Sequence, residues 1–211
     1  MRLILVRHAQ TEWNQLRKAQ GHTDIPLDET GLSQASQLGK FLSSRQQQLG
    51  IDEILSSDLS RCIQTIQPTA DLMNLEIHPE KRLRERSFGK WEGLEYGELR
   101  FKMQSLSLNP EIARPPGGES TEDVWQRTLS LLEMIDKRMK SAIIVTHGGM
   151  KALLLARLLQ GNIATARSFH FQNTSLTELE RRPDGTFALM RFASTEHLEQ
   201  QNAHSSFGII G

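Results

Sequence analysis

The sequence predicts an α/β fold with a mostly parallel central sheet. Residues 3–6 form a continuous apolar run, which is typical of a strand buried on both faces in the middle of a parallel sheet. Residues 51–56 and 141–145 are predicted to form two further short buried strands. The segments that follow these strands carry apolar residues at helical spacing, so strands and helices alternate along the chain.

The composition excludes several classes of protein. The 211 residues suffice for one α/β domain, or for one domain with an inserted cap. Lysine plus arginine and aspartate plus glutamate each number 25, a neutral balance that argues against nucleic-acid and membrane-surface partners. Cys62 is the only cysteine, which excludes an intramolecular disulfide and a cysteine-rich metal site. No segment approaches the roughly 18 apolar residues of a membrane span, so we expect a cytoplasmic protein.

The first apolar run ends at Arg7 and His8. In open α/β sheets, ligands bind just beyond the carboxyl ends of the strands, so both side chains stand where a site is expected. This segment alone leaves open the alternative of a half-buried structural histidine beside a surface arginine.

The first long helix is predicted after a loop at residues 21–28, which glycine, proline and aspartate interrupt. Either Asp28 or Thr30 is placed to cap this helix. Its apolar stripe is predicted to comprise Leu32, Ala35, Leu38, Leu42 and Leu49.

A second helix is predicted after the strand at residues 51–56. Ser57 or Asp58 is its expected N-cap, and helix N-termini favour anions. Arg61 then lies in the first turn, near the same sheet edge as His8, and a solvent-exposed helix arginine is the common alternative. We expect Cys62 only to pack.

The middle of the chain carries a third short strand near Ile77 and then a charge-rich segment at residues 82–93. A short helix at about residues 95–106 precedes loops at Asn109-Pro110 and at residues 114–120, where prolines and glycines cluster. Either Ser120 or Thr121 caps the next helix, whose buried stripe is predicted to be Val124, Leu131, Ile135 and Met139.

Residues 141–149 repeat the pattern of the first strand, because an apolar run again ends at a histidine, His147, here followed by Gly148 and Gly149. Two strands that each deliver a histidine, with glycines that let the backbone approach an anion, indicate a site. A zinc centre is the weaker alternative, because neither histidine has an acidic or further histidine ligand at helical spacing. We therefore predict no metal.

The end of the chain is predicted to form a hairpin that completes the sheet, from residues 176–181 and 187–193 around a turn at 183–185. From about Glu196 we expect a weakly structured tail. We assign no function to His170 and His197.

Four separated blocks of sequence resemble the histidine phosphatase superfamily, the phosphoglycerate-mutase-like proteins. They are residues 7–14, which read Arg-His-Ala with Thr11, Glu12 and Asn14; residues 57–65; residues 83–93, with Leu-Arg-Glu and Trp-Glu-Gly; and residues 117–120 together with the second histidine. The resemblance extends from Arg2 to about Ser175. The family usually has glycine where this chain has Ala9.

The resemblance implies a three-layer αβα sandwich with a small cap insertion. It places the whole chain, residues 1–211, in a single domain whose cap spans about residues 94–120 and sets the substrate.

The resemblance also implies a phosphohistidine mechanism. His8 is then the nucleophile, and Arg7 and Arg61 bind the phosphate oxygens while their charge disfavours protonation of His8. His147 is a further donor to the transferred group. Glu85 protonates the leaving alcohol and later accepts a proton from water.

Several neutral groups are expected to complete the phosphate site. Asn14 and the Thr11 hydroxyl are plausible donors, and the predicted binding residues also include Gln20, Gly21 and Gly148. The resemblance makes Glu92 structural. Glu119 either contacts the substrate or orients its loop. No cofactor is implied, because the arginines supply the positive charge.

The expected function is hydrolysis of a small phosphorylated metabolite by a metal-independent phosphatase, which acts as a monomer or homodimer. The compact interval from Glu85 to His147 and the block at residues 88–93 favour a phosphatase over a cofactor-dependent phosphoglycerate mutase. A non-catalytic binding homologue is the third possibility, and it is expected to lack at least one of the proposed catalytic groups.

Overall fold

The structure, a computed structural model, describes residues 1–105, 111–138 and 141–198. Six strands form one sheet: β1 (Arg2–Arg7), β2 (Glu53–Ser56), β3 (Ile77–Pro79), β4 (Ser141–Thr146), β5 (Leu176–Arg181) and β6 (Phe187–Ser194). Eight α-helices lie in the described part of the chain: α1 (Glu12–Gln15), α2 (Glu29–Ser43), α3 (Gln46–Leu49), α4 (Ser60–Met73), α5 (Tyr96–Ser105), α6 (Thr121–Arg138), α7 (Gly148–Leu158) and α8 (Ile163–Ala166).

The sheet has the strand order β3-β2-β4-β1-β5-β6. The first four strands in this order pair in parallel, whereas β5 pairs antiparallel with both β1 and β6. The predicted mostly parallel sheet and the closing hairpin are therefore confirmed. Because β1 and β4 are parallel neighbours, their carboxyl ends bring His8 and His147 to the same edge.

The central strands are buried on both faces, because their alternate side chains enter two separate cores. Leu3 and Leu5 pack with residues of α6, α7 and α8, whereas Ile4 and Val6 pack with residues of α2 and α4. Helices thus cover the sheet on both sides, and the predicted αβα layering is confirmed.

Two details of the predicted helices are wrong. Leu32 lies on the outer face of α2 and is 53% exposed, because Gly31 rather than Leu32 turns inward against the backbone carbonyl of Gln10. Leu49 is buried but belongs to the separate short helix α3. The Asp28 cap is confirmed, since its Oδ1 accepts from the amide of Gly31 at 2.7 Å.

The N-terminus of α4 also differs from the prediction. Its N-cap is Leu59, and Asp24 from a distant loop accepts hydrogen bonds from the amide and hydroxyl of Ser60. The two predicted caps are used elsewhere, because Asp58 forms an ion pair with Arg84 and Ser57 contacts His147. Arg61 does lie in the first turn, fully buried rather than exposed.

The other predicted helices agree closely with the structure. Ser120 rather than Thr121 caps α6, since its hydroxyl accepts from the amide of Asp123 at 3.1 Å. The predictions for residues 106–110, for Met139 and for the tail from residue 199 onward lie outside the described residues. None of the helices in the described ranges is long and apolar enough to cross a membrane.

Candidate active site

A cavity of about 410 Å³ opens at the carboxyl ends of β1 and β4. Almost all of the predicted site residues line it: Arg7, His8, Asn14, Gln20, Gly21, Arg61, Glu85, His147 and Gly148. The rings of His8 and His147 face each other with their centroids 5.2 Å apart. The topology therefore brings together side chains that lie up to 141 positions apart in the sequence.

Thr11 is the predicted residue that does not line the cavity. It is fully buried as the N-cap of α1, and its hydroxyl donates to Oδ1 of Asn14 at 3.1 Å. The Asn14 oxygen also accepts from the Thr11 amide and from Nδ2 of Asn173. Asn14 is therefore left with its amide Nδ2 as the donor for a ligand, and Thr11 acts by orienting it.

The environment of His8 keeps its ring neutral and fixes the tautomer. Burial and the nearby charges of Arg61 and Arg7 lower the pKa of His8 well below its usual value. Its Nδ1–H donates to the backbone carbonyl of Ala9 at 2.7 Å, and a carbonyl can only accept. The unprotonated lone pair is therefore on Nε2, as a nucleophilic histidine requires.

Two guanidinium groups flank His8, that of the fully buried Arg61 and that of the half-buried Arg7. Arg7 donates through Nη1 to the carbonyl of Phe171 at 2.6 Å, and its Nε is buried without a hydrogen-bond partner in the described part of the chain. Arg61 donates through Nη1 to the carbonyl of Thr23 and through Nη2 to that of Gly21. Neither arginine forms an ion pair within residues 1–105, 111–138 and 141–198. Because buried polar groups normally have partners, their free N–H groups indicate a site for an anion.

His147 has a different environment from the one predicted. Its Nδ1 accepts from Nε of Arg61 at 3.1 Å, and its Nε2 lies 2.9 Å from the Ser57 hydroxyl. Since a guanidinium N–H only donates, the proton of the neutral ring is on Nε2. Burial, followed by the charge of Arg61, lowers the pKa of His147 well below its usual value. Both ring nitrogens thus have protein partners in this structure, where the ring orients Arg61. Donation from His147 to the transferred group stays a prediction.

Glu85 is held against the N-terminus of α7. Its two carboxylate oxygens accept from the amides of Gly149 at 2.9 Å and Met150 at 3.2 Å. A Cβ atom at position 149 would lie 2.6 Å from Oε1 of Glu85, so glycine is what allows this approach. The glycine pair is predicted to let the backbone approach an anion. Gly149 does this for the carboxylate of Glu85, which is a side chain of the protein and not a ligand.

Two other acidic residues hold the loops around Glu85. Oε2 of Glu119 accepts from the Ser87 amide at 2.9 Å and from Arg127 at 3.0 Å, so it orients the loop rather than facing the cavity. Glu92 accepts from the amides of His22, at 2.9 Å, and of Phe88, at 3.1 Å, which ties the two loops together.

Sequence reasoning missed several residues of the cavity. Tyr96 lines it from the start of α5, and burial raises the pKa of its phenol. Lys151 is fully buried behind Arg7, where its amine donates to the Ser175 carbonyl at 2.7 Å. The sequence signal for Lys151 is its place in an otherwise apolar helical segment, which indicates a buried lysine. His170, to which no function was assigned, lines the cavity, whereas His197 is buried against Thr174.

Potential metal ligands do not cluster in the described ranges. No group of three histidine, cysteine, aspartate or glutamate side chains there could hold a metal ion.

Comparisons with known proteins agree on one family. The family model described as histidine phosphatase superfamily (branch 1) matches residues 3–195. Phosphoglycerate mutase-like protein 4 of Arabidopsis thaliana is 31% identical over 216 residues, which cover 98% of this chain and 91% of that protein. Phosphoserine phosphatase 1 of Hydrogenobacter thermophilus is 32% identical over 86% of this chain and 89% of its own.

The fold also matches solved structures. Mycobacterial glucosyl-3-phosphoglycerate phosphatase, solved with VO3, superposes with a TM-score of 0.81 at 28% identity, covering 92% of this chain and 99% of that one.

Proposed function

This chain belongs to the histidine phosphatase superfamily, and we propose that it is a metal-independent phosphatase that hydrolyses small phosphomonoesters through a phosphohistidine intermediate. The similarity to phosphoserine phosphatase and to glucosyl-3-phosphoglycerate phosphatase supports hydrolysis of small phosphorylated metabolites. The proposal includes a single catalytic domain, a cytoplasmic location, and action as a monomer or homodimer.

One observation carries the proposal. A neutral histidine with its lone pair on Nε2 shares a cavity with the guanidinium groups of the buried Arg61 and the half-buried Arg7, which have no carboxylate partner among the described residues. A phosphomonoester brings about two negative charges and several acceptor oxygens, which match the free N–H groups of Arg7 and Arg61. The arginines thereby supply the charge that stabilises the transferred phosphoryl group.

The chemistry follows in two balanced steps. In the first, the lone pair on Nε2 of His8 bonds to phosphorus, the bond from phosphorus to the alcohol oxygen breaks, and Glu85 gives that oxygen a proton. In the second, water attacks phosphorus, Glu85 takes up a proton, and the bond between nitrogen and phosphorus breaks. Asn14, Gln20, Gly21 and Gly148 complete the phosphate site in this proposal.

Phosphotransfer of the mutase type is the second candidate. The similarity to phosphoglycerate mutase-like protein 4 favours it, and the same phosphohistidine would carry it. Such an activity would depend on a bisphosphate primer, whereas hydrolysis would not.

The test is phosphate release from a panel of small phosphomonoesters in the presence of EDTA. We expect the wild type to release phosphate at the same rate with or without the chelator, and His8→Ala to lose at least a thousandfold in kcat. The exposed histidine of β3 provides the matched control, His78→Ala, which should retain wild-type rates. Release that EDTA abolishes, or that survives in His8→Ala, would overturn the proposal.

A further inference from the structure

A second compartment of about 320 Å³ adjoins the catalytic cavity. The two share a common border, formed by Glu85, Tyr96, Gly149, Ala152, Ala166 and Arg167. Beyond this border the apolar walls are formed by Phe88, Leu153 and Ile163, and Arg86 and Thr121 supply the polar groups. An apolar cavity of about 150 Å³ is enough to hold benzene, so this compartment has room for a substituted ring or a branched chain.

The compartment lies on the side of the cavity from which the substrate's alcohol departs. Glu85, the proposed proton donor to the alcohol oxygen, lies on the shared border with its carboxylate fixed by three backbone amides, those of Arg86, Gly149 and Met150. In the proposed reaction the phosphoryl group binds between His8 and the two arginines, which line the catalytic cavity but not this compartment. The carbon skeleton attached to the alcohol oxygen therefore extends past Glu85 into the apolar compartment.

One cation in this compartment lacks a carboxylate partner. Arg86 lines the wall, donates through Nη1 to the Thr121 hydroxyl at 2.9 Å, and packs its guanidinium 4.7 Å from the ring centre of Phe88. No acidic side chain in the described part of the chain is within ion-pair distance of it. Arg167, which lines the same compartment, is by contrast paired with Glu111 at 3.1 Å.

We propose that the alcohol half of the substrate has an apolar body that fills this compartment and an acidic group that Arg86 binds. The inference rests on the proposed phosphatase function and narrows its substrate to phosphate esters of apolar hydroxy acids. The apolar walls disfavour the many hydroxyl groups of a sugar, because a hydroxyl that faces Phe88, Leu153 or Ile163 loses its hydrogen bonds to water without gaining a partner.

Four phosphate esters test the apolar body and the acidic group of the alcohol separately. Ethyl phosphate and benzyl phosphate have no carboxylate, whereas phosphoglycolate and 4-carboxybenzyl phosphate carry one on a small and on an aromatic body. For the wild type we expect kcat/KM to rise about tenfold from ethyl to benzyl, because an aromatic body buries apolar area. A further rise of about tenfold is expected from benzyl to 4-carboxybenzyl, because a hydrogen bond to a charged group is worth about one order of magnitude or more.

Two variants test the residues. Arg86→Met should erase the advantage of 4-carboxybenzyl over benzyl phosphate and leave the advantage of benzyl over ethyl phosphate. Leu153→Trp, which fills the compartment from a residue that does not line the catalytic cavity, should erase the benzyl advantage and leave hydrolysis of ethyl phosphate. Arg191→Met is the matched control, since Arg191 is paired with Glu178 at 3.3 Å away from both compartments, and it should behave as the wild type.

The possible outcomes are distinct. Equal losses on all four esters in Arg86→Met would show that this residue acts only through its neighbour Glu85, and would overturn the inference alone. A wild type with no preference for the benzyl esters would also overturn it alone. Failure of the wild type to release phosphate from any of the four esters would contradict the proposed function, and the inference with it.

Discussion

Arg61 donates its Nε–H to Nδ1 of His147 at 3.1 Å. This bond requires a lone pair on Nδ1 and therefore leaves the proton of the neutral imidazole on Nε2, facing Ser57. His8 has the opposite tautomer, with the proton on Nδ1. Two histidines at one sheet edge are thus assigned different tasks by their partners: His8 presents a lone pair to the cavity, and His147 supports an arginine.

The hydroxyl of Ser57 accepts the Nε2–H of His147, so its removal should weaken the site. We expect Ser57→Ala to reduce kcat/KM about tenfold, because a buried unsatisfied N–H costs about 1–3 kcal/mol. Steady-state kinetics on the fastest ester measure the effect. Ser44→Ala, an exposed serine whose hydroxyl caps only a helix carbonyl, is the control. Wild-type kinetics in Ser57→Ala would contradict the assigned tautomer.

Gly149 admits the carboxylate of Glu85, and an alanine there should displace it. The added Cβ would lie 2.6 Å from Oε1 of Glu85. We expect Gly149→Ala to fold and to lower kcat by about 10²-fold, in line with the usual contribution of a positioned general acid. The loss should be largest for esters of poorly acidic alcohols. Gly97→Ala adds its Cβ in open space and should leave kcat unchanged. Equal rates for both variants would refute this role of Gly149.

Buried neutral histidines make the protein less stable in acid. Burial lowers the pKa of His197 to about 4, and burial with nearby arginines lowers the pKa of His8 and of His147 well below the usual value. In the unfolded chain each titrates near pH 6.5. Below that pH the unfolded state binds more protons, so each histidine lowers the free energy of unfolding by about 1.4 kcal/mol per pH unit.

Urea unfolding at pH 6.5 and pH 5.5 measures this dependence. His197 lies outside the cavity, so His197→Gln should remove one titrating group and make the loss of stability between these two pH values about a third smaller. An unchanged pH dependence would mean that His197 is charged in the folded state.

Lys151 is expected to favour activity at the expense of stability. Burial and the charge of Arg7 lower the pKa of its amine well below its usual value, so at neutral pH folding opposes its protonation. Lys151→Met removes this cost and should raise Tm by several degrees. The substitution also removes the hydrogen bond from the lysine amine to the Ser175 carbonyl. Ser175 belongs to the same segment as Phe171, whose carbonyl accepts from Arg7, so Arg7 should be held less firmly and KM should rise severalfold.

The exposed lysine of α2 provides the control, Lys40→Met, which should change neither Tm nor KM. A lower Tm in Lys151→Met would show that the amine stabilises the fold.

Most of the architecture followed from local pattern. The inner residues of β1 (3–6) and of β4 (142–145) are all apolar because both faces of these strands are buried, and that property is visible without knowing what covers them. The helix cap at Asp28 was equally local, since it joins residues three positions apart. Leu32 was misplaced because helical spacing identifies an apolar side chain but not the close approach of Gly31 to the backbone carbonyl of Gln10.

The sequence by itself determined which residues reach the sheet edge, because strand order and polarity bring the residue after each strand to one place. Only the tertiary structure decided what each of them does there. Whether His147 donates or accepts, and whether Arg86 is paired, depends on contacts between residues more than 30 positions apart along the chain. Such contacts are set by how the strands and helices pack, and no local pattern encodes them.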